Sequence, residues 1–187
     1  VRRLCFIFGI ALLLSSIGGR AGACTMLARL DLDDVQYADV VVVGRVSGYH
    51  IVLDPIARER FKSLVAKHPG LWKSTKEPSG FLTDYARFKI MVDEVLRGNA
   101  PHELSVTWDN STFGEPESIP SGPFLVALRD PSAPIPPLRG PSATGVPNLE
   151  PGTLTVLQAP CSRAFLFEVD SQEAQLLRQQ LARPQQQ

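Results

Sequence analysis

The sequence predicts a small, mainly β barrel of five or six strands, with one helix inserted between the first two strands and a second at the C-terminal end. Three observations lead there. An unbroken run of valines opens the globular part of the chain, two later segments alternate apolar and polar residues, and clusters of Gly, Pro and Asn separate the apolar runs. A long first strand that bends can serve both halves of a barrel, and closure removes exposed sheet edges.

Residues 1–23 stand apart from that pattern. Arg2 and Arg3 precede the apolar run 4–14, and small residues then lead to Ala21-Gly22-Ala23. A positive end, a short greasy core and an Ala-x-Ala exit describe a secretory signal peptide. The core is shorter than the roughly 20 apolar residues that a membrane span needs. Cleavage after Ala23 makes Cys24 the first residue of the mature chain. The alternative is a lipidated Cys24, which would anchor the protein, and membrane association is expected in that case alone. Ala21 stands where a lipoprotein signal usually has a Leu-like residue, and this favours ordinary cleavage.

Without its leader the chain is one domain's worth of sequence. Arg2, Arg3 and Arg20 leave, so 16 of the 19 basic residues remain against 19 acidic ones. Neither a basic face nor aromatic-basic interleaving is visible, so nucleic acid is not an expected partner. Cys5 also leaves, and Cys24 and Cys161 remain. Two cysteines in an exported chain are expected to be bonded. The bond would close a loop of about 140 residues, worth about 4–5 kcal/mol in the chain-entropy account.

The elements follow in order. Residues 30–38 suit a short helix or turn capped by Asp31 or Asp33. Residues 39–46, "DVVVVGRV", read as a buried strand, and Gly44 inside it marks a bulge or sharp bend. Residues 54–70 read as a helix: Asp54 caps it, Pro55 takes the first turn, Pro69-Gly70 stops it, and Ile56, Phe61, Leu64 and Val65 form its apolar stripe. The helix and the polar stretch to residue 80 form an insertion. In 86–93, Ala86, Phe88, Ile90 and Val92 face one way. In 103–109, Leu104, Val106 and Trp108 do the same. Residues 123–129 form a buried strand. Residues 130–152 hold seven prolines and read as an extended loop. Weaker strands follow at 153–157 and 164–169. A helix at 170–182 has Asp170 and Glu173 in capping-box spacing, and a polar tail to 187 is expected to be disordered.

The common catalytic and phosphate-binding signatures are missing, and His50, His68 and His102 fall on unrelated elements. Asp93 and Glu94 are adjacent, so a strand turns them to opposite faces. "NST" at 110–112 fits a glycan acceptor. No catalytic residue, cofactor or metal of the protein's own is expected.

The phrases "CTML" at the mature start, "YADVVVVGRV", "YARFKIMVDEVLRG" and "GPFLVALR", closed by a late cysteine, resemble the tissue-inhibitor-of-metalloproteinases-like (netrin-like) OB-fold superfamily, particularly its exported bacterial members. The resemblance spans 24–169, with 54–80 and 130–152 as insertions and 170–187 as a C-terminal addition. It implies an OB-fold-like barrel. In the animal inhibitors the α-amine and carbonyl oxygen of the first residue chelate the zinc of a protease, and the second side chain enters a neighbouring pocket. Cys24 and Thr25 match those positions, whereas Met26 stands where those inhibitors have a second cysteine. The expected function is an exported, non-enzymatic, disulfide-tied protein-binding module, secreted or resident in the periplasm or cell envelope. Inhibition of a zinc protease through Cys24 is the alternative, and a lipid-anchored envelope protein is the third.

Non-reducing peptide mapping of the exported protein is expected to find one Cys24–Cys161 pair and no free thiol. Two alkylatable thiols in the native protein would show that the staple does not exist.

Overall fold

A computed structural model describes residues 28–70, 80–81, 83–109, 116–133, 150, 152–159 and 162–183. A 3-10 helix, Leu32–Tyr37, leads into strand β1, Val40–Val52. Helix α1, Pro55–Lys67, follows, then β2, Tyr85–Arg97; β3, Glu103–Asp109; β4, Phe124–Arg129; β5, Leu154–Val156; β6, Leu166–Glu168; and helix α2, Gln172–Leu181. The strands are ordered β1-β2-β3-β5-β4-β6, and β1 also pairs with β4. Five strands therefore close into a barrel, with β6 added outside on β4. All pairings between named strands are antiparallel except β3–β5, which is parallel. The protein is a mainly β, OB-fold-like barrel with one inserted and one C-terminal helix.

The unbroken valines of β1 are explained by two cores. Val40, Val42 and Val46 point into the barrel with Phe88, Ile90, Val106, Val126 and Leu128. Val41 and Val43 point out, but not to water. With Leu125, Ala127, Phe165 and Phe167 they form a second core, roofed by Val35 of the 3-10 helix and by Ala174 and Leu177 of α2. A strand buried on both faces has no polar side to show, so its sequence cannot alternate. In β2 and β3 the expected inward set holds, with Ala86, Phe88, Ile90, Val92, Leu104, Val106 and Trp108 all in the barrel core, although the outward Thr107 is buried as well.

Gly44 needs a correction. The register steps from Val43↔Glu94 to Gly44↔Val92, so the extra residue is Asp93, on β2. Gly44 is instead the point of closest approach: a Cβ there would lie 2.3 Å from the Met91 carbonyl oxygen and 2.7 Å from Ile90 Cγ2. Asp93 and Glu94 do not take opposite faces as expected: the bulge leaves both exposed outside the barrel, with different partners. Asp93 meets Arg45 at 3.0 Å, and Glu94 meets Arg178 of α2 at 2.7 Å. The turn after β2 relies on Gly98, with φ of 75° and the Asp39 carbonyl where a Cβ would stand.

Other expectations shift in detail. β1 runs six residues past its expected end, and β2 reaches Arg97. Asp31, not Asp33, caps the 3-10 helix, accepting from Asp33 N at 3.0 Å. Ser171, not Asp170, caps α2, because its hydroxyl accepts from Ala174 N at 3.2 Å. A serine hydroxyl one position later reaches the free amides of the first turn equally well. The Asp54 cap of α1 is as expected, accepting from Ile56 N and Ala57 N.

Gly44→Ala is expected to destabilise the protein by at least about 2–3 kcal/mol, since the new methyl meets backbone rather than a yielding side chain. Urea unfolding followed by the fluorescence of the two tryptophans measures it.

Candidate functional site

Helix α1 is the least expected part of the surface. It contributes no buried side chain. The anticipated stripe splits: Phe61 and Val65 are half-buried, whereas Ile56 is 61% exposed and Leu64 45%. Leu53, just before the helix, is 53% exposed. These are three of the five large apolar side chains exposed among the described residues. Ile56, Glu59, Arg60 and Ser63 share one face at helical spacing and line a shallow, mainly apolar groove with Pro55.

Core packing does not hold this helix, so a polar lock must. Asp84, only 2% exposed, receives Arg58 in a fork: Nη1 lies 2.6 Å from Oδ1 and Nη2 2.9 Å from Oδ2. The same carboxylate accepts from Asp54 N at 2.7 Å and Phe81 N at 2.9 Å. Asp84 thus ties the helix start, its first turn and the strand-β2 approach together. Burial pushes its carboxyl up, but the Arg58 guanidinium and the two amides outweigh that and hold it below the usual carboxylate range. The Phe81 ring adds an edge contact to Phe61 at 5.7 Å and lies under the Arg58 guanidinium at 4.9 Å.

Cys24, Thr25 and Cys161 lie outside the described residues. Their neighbours do not. Leu30 and Leu32 pack against the second core, six residues and more after Cys24. On the other side, Leu157 and Phe165 belong to that core, and Ala159 and Ser162 are buried. Gln158 steadies the turn between them, accepting from Trp108 Nε1 at 2.8 Å and donating to the Ser162 carbonyl at 2.7 Å. Most of the proline-rich loop, residues 134–149 and 151, is also outside the described residues, as are residues 71–79, the Asn110-Ser111-Thr112 acceptor and the 184–187 tail. The loop's described stem is tied to β2: Tyr85 donates to the Glu150 carboxylate, and Arg87 Nε lies 3.3 Å from it.

The histidines serve separate local roles. His50 Nδ1 meets the Gly48 carbonyl, His68 caps the end of α1, and the His102 carbonyl accepts from Val92 N. No group of three or more His, Cys, Asp or Glu is gathered for a metal among the described residues. No described helix is long and apolar enough to cross a membrane.

Comparison with protein-family models, curated proteins and solved structures finds no match to this chain. The class it can be given is therefore the one its topology defines, a closed OB-fold-like barrel carrying a rigidly mounted helix.

Sequence reasoning missed the Arg58–Asp84 lock. The two residues are 26 apart with an insertion between them. The available signal was Asp84 itself, an acid placed directly before an alternating strand.

The lock should be acid-labile. A carboxyl lowered by folding contributes stability that is present above its unfolded value, near pH ~4, and lost as pH falls through its depressed folded value. Amide exchange along 55–67 is expected to quicken on descending below pH ~4, relative to the intrinsic rate, before exchange in β1 and β4 changes. At neutral pH, Asp84→Asn leaves Arg58 without its anion at a loss of about 3 kcal/mol. Trypsin should then cut at Arg58, Arg60 and Lys62 while the barrel stays intact.

Proposed function

We propose that this protein is an exported, disulfide-tied, non-enzymatic binding module whose partner is a protein. The mounting of α1 carries the reading. A helix that adds nothing to either core, yet is fixed by a buried bidentate ion pair, spends folding order on a surface. A surface held in advance lowers the entropy lost on association. Its exposed Leu53, Ile56 and Leu64 provide the apolar anchors that protein interfaces use, and Glu59 and Arg60 a polar border.

The test is a photo-reactive side chain at Ile56, with Leu176 on α2 as the exposed control. One discrete adduct from Ile56 and none from Leu176 is expected in the native envelope. The purified partner, once identified from it, should bind Ile56→Asp at least tenfold more weakly with no change in melting temperature. Failure of every α1 position to cross-link would overturn the reading.

A second reading, zinc-protease inhibition through the α-amine and carbonyl of Cys24 with Thr25 in the adjacent pocket, is supported by the anchoring of both flanks on one core. A chelating terminus must be rigid, and Leu30, Leu32, Leu157 and Phe165 all meet the second core. Zinc binding takes the α-amine's proton, which titrates near pH ~8. An alanine added before Cys24 moves that amine by about 3.5 Å and should abolish inhibition of a zinc endopeptidase. Inhibition that survives the insertion, or none at micromolar protein, would remove this reading and leave the first.

A further inference from the structure

The four cations of α1 do different things. Arg58 turns inward and is held by Asp84. Lys62 lies on the flank, 3.3 Å from Glu59, in a pair open to water. Lys67 stands in the last turn, where a positive charge suits the carbonyl end of a helix. Arg60 has none of these duties. It is exposed in mid-helix, and neither it nor Lys67 makes an ion pair among the described residues.

Helical spacing sets Arg60 in a row. Ile56, Arg60, Ser63 and Lys67 follow one another at intervals of four, three and four residues, so they share one line along the helix. The half-buried Arg58, Phe61 and Val65 occupy the opposite side. The outward line is an apolar anchor followed by two unpaired positive charges, about 6 and 16 Å from it along the axis. Ile56, Arg60 and Ser63 line the shallow groove, and Glu59 is the single acid there. Lys62 neutralises Glu59 from the flank, so the charge left facing a partner is positive.

We propose that this row docks an acidic segment of a partner protein, which sets an apolar side chain against Ile56 and carboxylates against Arg60 and Lys67. The proposal rests on the reading of α1 as a protein-docking surface and adds the partner's chemistry. Charge complementarity carries it. A guanidinium meets a carboxylate through two parallel hydrogen bonds, and arginine is enriched at interfaces where lysine and glutamate are depleted. A lipid surface suits the row poorly. A helix lying in a membrane interface keeps its cations off its apolar face, whereas Arg60 and Lys67 share the line of Ile56, and Leu64 lies to one side of it. A second copy suits it no better, because a two-fold contact between two α1 faces would set this positive row against itself.

The experiment places a photo-reactive side chain at Ser63, which lines the groove and leaves Ile56 in place, in the full exported chain in its native envelope. One protein adduct is expected, and its cross-linked peptide should carry at least two Asp or Glu beside an apolar residue. Arg60→Glu with Lys67→Gln should lower the adduct yield at least tenfold. Glu59→Gln should raise it, because the one competing acid is gone and Lys62 is released. Added salt should lower the wild-type yield. Both variants should melt with the wild type and keep amide protection over 55–67. Glu59→Gln touches no buried group, so a fall in its yield would by itself overturn the proposal. An adduct that Ile56→Asp abolishes and the charge changes leave alone would also overturn it, while α1 would remain a docking surface. An adduct to lipid, or to a second copy of this chain, would overturn it by naming a different occupant. No adduct from Ser63 or any other α1 position would remove the docking surface and this proposal together.

Discussion

Everything in this fold leans on β1 being buried on both sides. It pairs with β2 along most of its length and with β4 over Val40–Gly44, so it is the strand that closes the barrel. The four valines of that stretch carry the barrel core on one face and the second core on the other. The 3-10 helix, β6 and α2 are positioned by what Val41 and Val43 present outward. Removing water from both faces of one strand explains its valines, the glycine at its tightest crossing, and the attachment of the C-terminal helix. Gln180 of α2 donating to Asp33 and Arg178 meeting Glu94 then fix that roof in register.

The barrel frees the loops from structural duty, and the two long connections use that freedom differently. The β1–β2 connection mounts a helix away from the core on a single buried carboxylate. The β4–β5 connection leaves from Arg129 and returns at Thr155, a polar pair on the outer wall. In the first a buried charge is answered by its own chain; in the second Arg129 has no ion pair among the described residues.

Much of the barrel was legible because it rests on local periodicity. β2 and β3 announced themselves by alternation, β1 and β4 by uniform apolarity, and α1 by Asp54 and Pro55. What escaped was whatever depends on pairing. The bulge at Asp93 belongs to a register between two strands, and neither strand shows it alone; Gly44 signalled a constraint but not which strand would yield. The exposed side of α1 was misjudged because Ile56 and Leu64 fit an apolar stripe, and only tertiary contacts reveal that the helix is turned toward Phe81 and Asp84 instead. Arg129 closes the run read as a buried strand, and its burial beside Thr155 and Thr107 shows only when β5 and β3 are placed beside β4. Cys24, Thr25 and Cys161 were singled out by sequence, and they fall outside the described residues.

Barrel closure also sets an order of events for a newly made chain. Val42 must find Val126, on the order of eighty residues later, before the edge of β1 is covered. Until then the chain carries four consecutive valines on an open sheet edge, a composition that readily recruits other strands. Such long-range pairing is slow, because the loop must close before any contact rewards it. The parallel β3–β5 pair lengthens the wait, since it forms only after β4 has crossed over and β5 has returned. The double burial that makes β1 the keystone of the finished molecule therefore makes it the most exposed hazard of the unfinished one, and handling of the chain before residue 128 is complete should matter more for yield than any property of the folded surface.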